Sequence, residues 1–306
     1  MTSIDLICFA GAPNLPIFAA IEHGNFADHG VDINMTTTPS SAYQAEHLIN
    51  GTFQMAGTAF DNVVAYQEGQ GAFTPDSPPD LCAVMGATQV QLALITAPDV
   101  KTLEDVKGKT LALDALSTGF AFILYEMLAR AGLTSDDYEM VAVGATPKRW
   151  DSVREGETAG TLVLEPFTSI AQSQGFNVLG TSTDLFDEYQ GGIFAASRSW
   201  AADNAQAVKG YIAGYLAGLD WVMDPANREA AAALLLEKMP AIKPGVVDKV
   251  MGNLLNPKSG LTPKGAVLTE GVKTVLDLRS RYASPTPLTD PDRYFDLSYY
   301  NEVLGA

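Results

Sequence analysis

Along the N-terminal part of the chain the apolar positions switch between a strand period and a helix period, and that switch predicts the elements. Ile4–Ala10 is an almost unbroken apolar run, read as a strand, and Pro16–His23 is apolar at helical spacing up to Gly24. Val31–Thr36 reads as a strand, Ala42–Asn50 as a helix, Phe53–Ala56 as a short strand and Asp61–Glu68 as a helix. QEGQGAFTPDSPPD is rich in Gly and Pro and reads as a loop, after which Leu81–Met85 resumes the sheet. Strands alternating with helices imply a parallel sheet with helices on its faces.

Gln89–Ala97 reads as a crossover strand into a second α/β unit. That unit contains strands Thr110–Asp114, Glu139–Val143, Thr161–Leu164 and Val178–Gly180, with helices over Phe120–Ala131 and Pro147–Glu155. The chain recrosses near Gly191–Ser197. From Ala201 onward the pattern is helical, most clearly in YIAGYLAGLDWVM and REAAAALLLEKM, and these helices are expected to pack back on the first unit. No repeat of fixed period is present. Two crossovers predict an α/β protein of two lobes, residues 1–90 plus 194–306 and residues 91–193. Each lobe is expected to be a mostly parallel sheet flanked by helices, with a ligand cleft between them.

Composition narrows the function. With 306 residues and 47% hydrophobic content, two cores can be filled. A net charge of −17 leaves no basic stripe for nucleic acid or for an anionic membrane surface, and suits a soluble monomer. No apolar run reaches transmembrane length, so no membrane insertion is expected. Met1-Thr2-Ser3 leads almost directly into the first strand without a basic-then-apolar secretory signal. Two compartments are therefore open: the periplasm, with a signal already removed, or the cytoplasm. Cys8 and Cys82 sit in apolar strands and read as buried small hydrophobes. His23, His29 and His47 are scattered, so no metal and no cofactor are expected.

Open α/β sheets bind ligands at the carboxyl ends of their strands, which selects the candidate residues. After the first strand comes Asn14, able to offer an amide to a ligand or to cap its helix. After the third come Thr58, a polar end, and Phe60, a flat face. In the second unit Ser117, Thr118 and Gly119 stand at a helix start, where free N–H groups favour an anion, although Ser117 or Thr118 can equally cap that helix. Lys148-Arg149 reads as a solvent-facing helix start or as an anion clamp. Glu165, a carboxylate at the end of an apolar strand, needs a donor. That donor is either a ligand amino group or nearby backbone N–H groups. Gly191 and Gly192 are small enough for a ligand to lie against backbone.

Four blocks carry a resemblance, in the same order along the chain: NLPIFAAIEHGNFADHGVDINMTTTP, NGTFQMAGTAFDNV, LEDVKGKTLALDALSTGFAF and RWDSVREGETAGTLVLEP. Together they resemble ABC-transporter substrate-binding proteins of the nitrate/taurine/sulfonate group (SsuA-like), in a superfamily that includes NMT1/THI5-like proteins. The resemblance implies a type II periplasmic-binding-protein fold. It also implies capture of a small anionic or zwitterionic solute (sulfonate-, carboxylate-, nitrate- or pyrimidine-like) by hinge closure, with an ABC permease as partner. The same fold hosts enzymes, which form the alternative. The histidine used by pyrimidine-precursor synthases is replaced here by Asn62, with no cysteine-rich run. Cys8 lies one or two residues before the position of the desulfinase cysteine. No menaquinone-pathway motif stands out, and no Gly-x-Ser-x-Gly element or dinucleotide fingerprint is present.

Overall fold

A computed structural model describes residues 1–76 and 78–305. Ser77, inside the Gly- and Pro-rich loop, and Ala306, at the end of the first predicted lobe, lie outside the described residues. Two five-stranded sheets organise the chain. The first holds β1 (Thr2–Cys8), β2 (Val31–Thr37), β3 (Met55–Ala59), β4 (Leu81–Thr88) and β10 (Gly192–Ser197), in the order β2-β1-β3-β10-β4. The second holds β5 (Ala93–Thr96), β6 (Thr110–Leu113), β7 (Glu139–Ala142), β8 (Gly160–Val163) and β9 (Asn177–Thr181), in the order β7-β6-β8-β5-β9.

The two orders are the same pattern. In each sheet the strand that has just crossed from the other lobe, β10 or β5, is inserted antiparallel between its neighbours, and the remaining four strands share one direction. A segment arriving from the other lobe enters its new sheet from the opposite end, so it pairs in reverse. The same topology thus recurs without a repeat in the sequence.

Some boundaries differ from the reading of the sequence. β1 begins at Thr2 and ends at Cys8, because Thr2 and Ser3 pair with Val31 and Asp32. Backbone pairing on an exposed stretch does not need apolar side chains. β3 lies later than expected and runs through Gly57-Thr58-Ala59 straight into the helix Phe60–Gln67, so the loop read there does not exist. Gln89–Leu92 is irregular rather than strand. Val90 is held at a φ of 59°, a strained position for a β-branched residue, with its N–H donated to Thr88 Oγ1 at 3.0 Å.

The long helix Ala205–Met223 covers the first sheet. Its Gly210, Gly214 and Gly218 recur every four residues, and a Cβ on Gly218 would stand 2.8 Å from Ala20 Cβ. Gly218 lets the helix Leu15–Glu22 pack closely, while Gly214 faces Phe26 and Gly210 faces His29 and Val31. The helix Thr269–Tyr282 belongs to neither lobe alone. It packs on Phe60–Gln67 and on Gly119–Arg130, and a single apolar cluster runs from Ile7 and Leu81 through Leu111 and Phe122 to Leu276.

Candidate functional site

Between the sheets lies a cleft walled from both lobes, of about 870 Å³ when the adjoining space open to solvent is counted. The strand ends supply its floor, and most of the wall is apolar, with Phe9, Phe120, Leu164, Ile193 and Phe194 contributing. A mostly apolar pocket with a few convergent polar groups is the usual form of a small-molecule site.

Apart from the Lys148-Arg149 pair, six of the residues selected from the sequence line this wall: Asn14, Thr58, Thr118, Gly119, Gly191 and Gly192. Asn14 does not cap its helix; its amide donates to Phe9 O at 2.8 Å and ties down the exit of β1. Thr58 accepts from Asn62 Nδ2 at 2.9 Å. Thr118 caps the helix Gly119–Arg130, accepting from Ala121 N at 3.3 Å. The Gly119 N–H donates to Asp61 Oδ2 at 2.6 Å, so an internal carboxylate already occupies that part of the helix start. Among the described residues, the Phe120 N–H is the first-turn donor left without an acceptor. At Gly192 the missing Cβ would point at Thr88 Cγ2, 2.6 Å away, so its smallness serves strand packing.

Three selected residues stand outside the wall. Phe60 is fully buried and stacks on Phe295, with ring centroids 4.7 Å apart, because it begins a helix instead of lying in a loop. Ser117 turns its carbonyl to Arg279 Nη2 at 2.9 Å. Glu165 accepts from Asn253 Nδ2 at 2.5 Å and from Ser169 Oγ at 2.9 Å, while its own carbonyl accepts from Ala12 N at 3.0 Å. It bridges the lobes. Burial pushes its carboxyl above the usual 4.5, against hydrogen bonds from Asn253 and Ser169 and the charge of Lys249.

The Lys148-Arg149 pair divides. Lys148 is outside the wall, but Arg149 is in it and only 3% exposed, which corrects the solvent-facing reading for that residue. Its guanidinium donates to Thr161 Oγ1, Gly144 O, Thr146 Oγ1 and Leu162 O at 2.8–3.1 Å. Burial lowers its pKa to about 10, with Asp114 acting in the opposite sense. Asp114 itself follows β6 directly and accepts from Ser41 N at 2.9 Å, across the lobes. Sequence reasoning placed Asp114 as the last residue of a strand and passed over it, although the strand-end rule that selected Glu165 also selects it. Asp61 and Arg279 were beyond any such rule, since they stand 218 residues apart and meet only in the fold.

Cys8 is fully buried, and burial raises its thiol to about 12 against a weaker pull from the Gly57 backbone. Such a thiol is not a thiolate nucleophile at physiological pH. Among the described residues no group of three or more His, Cys, Asp or Glu is placed to hold a metal.

Comparison with known proteins places this geometry. The NMT1-like family matches residues 2–236. No curated protein matches. Among solved structures, the periplasmic nitrate-binding protein NrtA from Synechocystis PCC 6803 is similar with a TM-score of 0.82 at 14% identity, over 100% of this chain and 89% of that one. The alkanesulfonate-binding protein SsuA from Xanthomonas axonopodis pv. citri, bound to MOPS, gives 0.75 at 16% identity, over 96% of each chain. A DSZB variant in complex with biphenyl-2-sulfinic acid gives 0.66 at 11% identity, over 98% and 99%. At these identities the likeness is one of fold, the two-lobed fold of periplasmic binding proteins.

Proposed function

This chain belongs to the NMT1-like family, and from that premise we propose that it is the substrate-binding component of an ABC importer. It captures a small solute with an apolar body and a polar head in the cleft between its lobes. The observation that carries this reading is the cleft wall itself. Asn14 and Thr58 come from the first lobe, and Asp114, Thr118 and Arg149 from the second, so one bound molecule touches both. A ligand held by both lobes favours the closed state by its differential affinity, and the closed state is what a permease would recognise. The periplasm is the compartment this role implies, and NrtA is described as periplasmic. Buried Cys8 weighs against the enzymatic alternative of a cysteine nucleophile.

The test is a thermal-shift screen of sulfonates, nitrate, aromatic carboxylates and pyrimidines, followed by small-angle scattering with and without each hit. A ligand at one hundred times its Kd adds about 2.7 kcal/mol of stability. Binding with a smaller radius of gyration supports capture by closure. Time-dependent chemical conversion of the ligand would overturn it.

A further inference from the structure

The polar end of the cleft contains atoms that the protein leaves unsatisfied. Ser41 is 4% exposed, and its Oγ has no hydrogen-bond partner. Asp114 spends Oδ2 on Ser41 N, but its buried Oδ1 has no partner either. Both residues line the cleft, and the bond between them places them side by side at the junction of the lobes. Buried polar atoms are rarely left unpaired in native proteins, so two together in the wall of a cleft call for an occupant. Arg149 lines the same cleft. Four of its five N–H donors have protein acceptors, leaving one unassigned.

Charge decides what that occupant is. Asp114 and Arg149 are the only charged residues in the wall among the described residues, one acid and one base, and the Asp114 charge acts on Arg149. An anionic head would meet Asp114, and a cationic head would meet Arg149. A neutral planar group avoids both penalties, and with an N–H beside a C=O it serves the Asp114 and Ser41 oxygens and the spare Arg149 donor together. We propose that Asp114, Ser41 and Arg149 form a head-group site selective for an uncharged amide-class group. The inference rests on the reading of the cleft as a capture site and names the chemistry it takes. Because Ser41 belongs to the first lobe and Asp114 to the second, the head group is bound where closure is completed.

Three probes of one shape separate the possibilities: benzamide, benzoate and benzamidine, titrated calorimetrically into the full chain. Benzamide is expected to bind at least about tenfold tighter than either charged analogue, the difference a charge-assisted hydrogen bond makes when it is kept or lost. Asp114→Asn keeps an acceptor for Ser41 N but leaves Arg149 unbalanced, so benzoate should overtake benzamide in that variant. Ser41→Ala removes a hydroxyl with no protein partner; it should leave the melting temperature unchanged and weaken benzamide several-fold. A wild-type preference for benzoate or benzamidine overturns the proposal, as does an unchanged order of affinities in Asp114→Asn. Failure of all three probes to bind at millimolar concentration also overturns it. Binding of nitrate or methanesulfonate with lobe closure under the same conditions would then leave the capture reading standing alone.

Discussion

The two lobes meet along two seams of different material. One is built around Asp61 and Arg279, both fully buried. Arg279 donates to Asp61 at 2.7 and 2.6 Å, to Gln70 Oε1 at 3.0 Å and to Ser117 O at 2.9 Å, while its guanidinium lies 4.9 Å from the Phe122 ring. Glu126 extends this seam by bonding Arg281 and Tyr282. The other seam is made of individual hydrogen bonds: Ala145 N to Pro39 O, Ser41 N to Asp114, Ala12 N to Glu165 O, and Asn253 to Glu165. Water can replace bonds of the second kind at small net cost, but it cannot replace a desolvated ion pair inside an apolar cluster. The first seam therefore behaves as core, and the second is where the lobes part.

The largest effect should come from breaking the first seam. Arg279→Ala leaves Asp61 charged and buried without its partner, and should cost about 3–5 kcal/mol in denaturant unfolding. Replacing both partners, as Asp61→Leu with Arg279→Met, should cost far less. A double variant as unstable as the single would show that the pair itself, and not the orphaned charge, sets the stability. The second seam gives a smaller number. Glu165→Ala frees Asn253 Nδ2 and Ser169 Oγ, and should cost about 1–3 kcal/mol. It should also enlarge the radius of gyration of the free protein in scattering, which Arg279→Ala at matched folded fraction should not do.

Thr118→Val sharpens the contrast at a single helix end. It removes the side-chain acceptor for Ala121 N, and should lower stability by about 1 kcal/mol. If solute affinity falls along with stability, the hydroxyl also reaches the ligand. If affinity holds, Thr118 is a cap alone, and the ligand is held by the groups around Asp114.

These seams also mark where the sequence was legible. Hydrophobic periodicity located each of the ten strands among the described residues to within a few residues, because each strand and each amphipathic helix carries its own local pattern. The strand-end rule reached the cleft through Asn14, Thr58 and Thr118 for the same reason, since a strand end is a local feature. It could not separate Leu164, which faces the cleft, from Glu165, which turns to Asn253 on a helix 88 residues away. Nor could it show that Asp61 fills the helix start at Gly119, where an external anion was expected. In both cases the deciding partner is remote in sequence, and only packing brings it near.

The smallest effect is a loss of stability as pH rises, and it tests whether Glu165 is a latch under strain. Burial holds its carboxyl above the ordinary 4.5, so the folded state keeps a proton that the unfolded chain has lost. Where the folded state binds more protons, stability falls as pH rises. The contribution of Glu165 is therefore fully present below 4.5 and is lost as pH climbs through the raised folded value. Glu165→Gln keeps the shape and an acceptor for Asn253 but does not titrate. The difference in unfolding free energy between wild type and Glu165→Gln cancels the other ionisable groups, leaving this one. That difference should favour wild type most in acid and shift toward Gln as pH is raised to neutrality. A difference that does not vary from pH 4 to 8 would mean that Lys249, Asn253 and Ser169 offset the burial in full, and that the second seam carries no charge penalty at all.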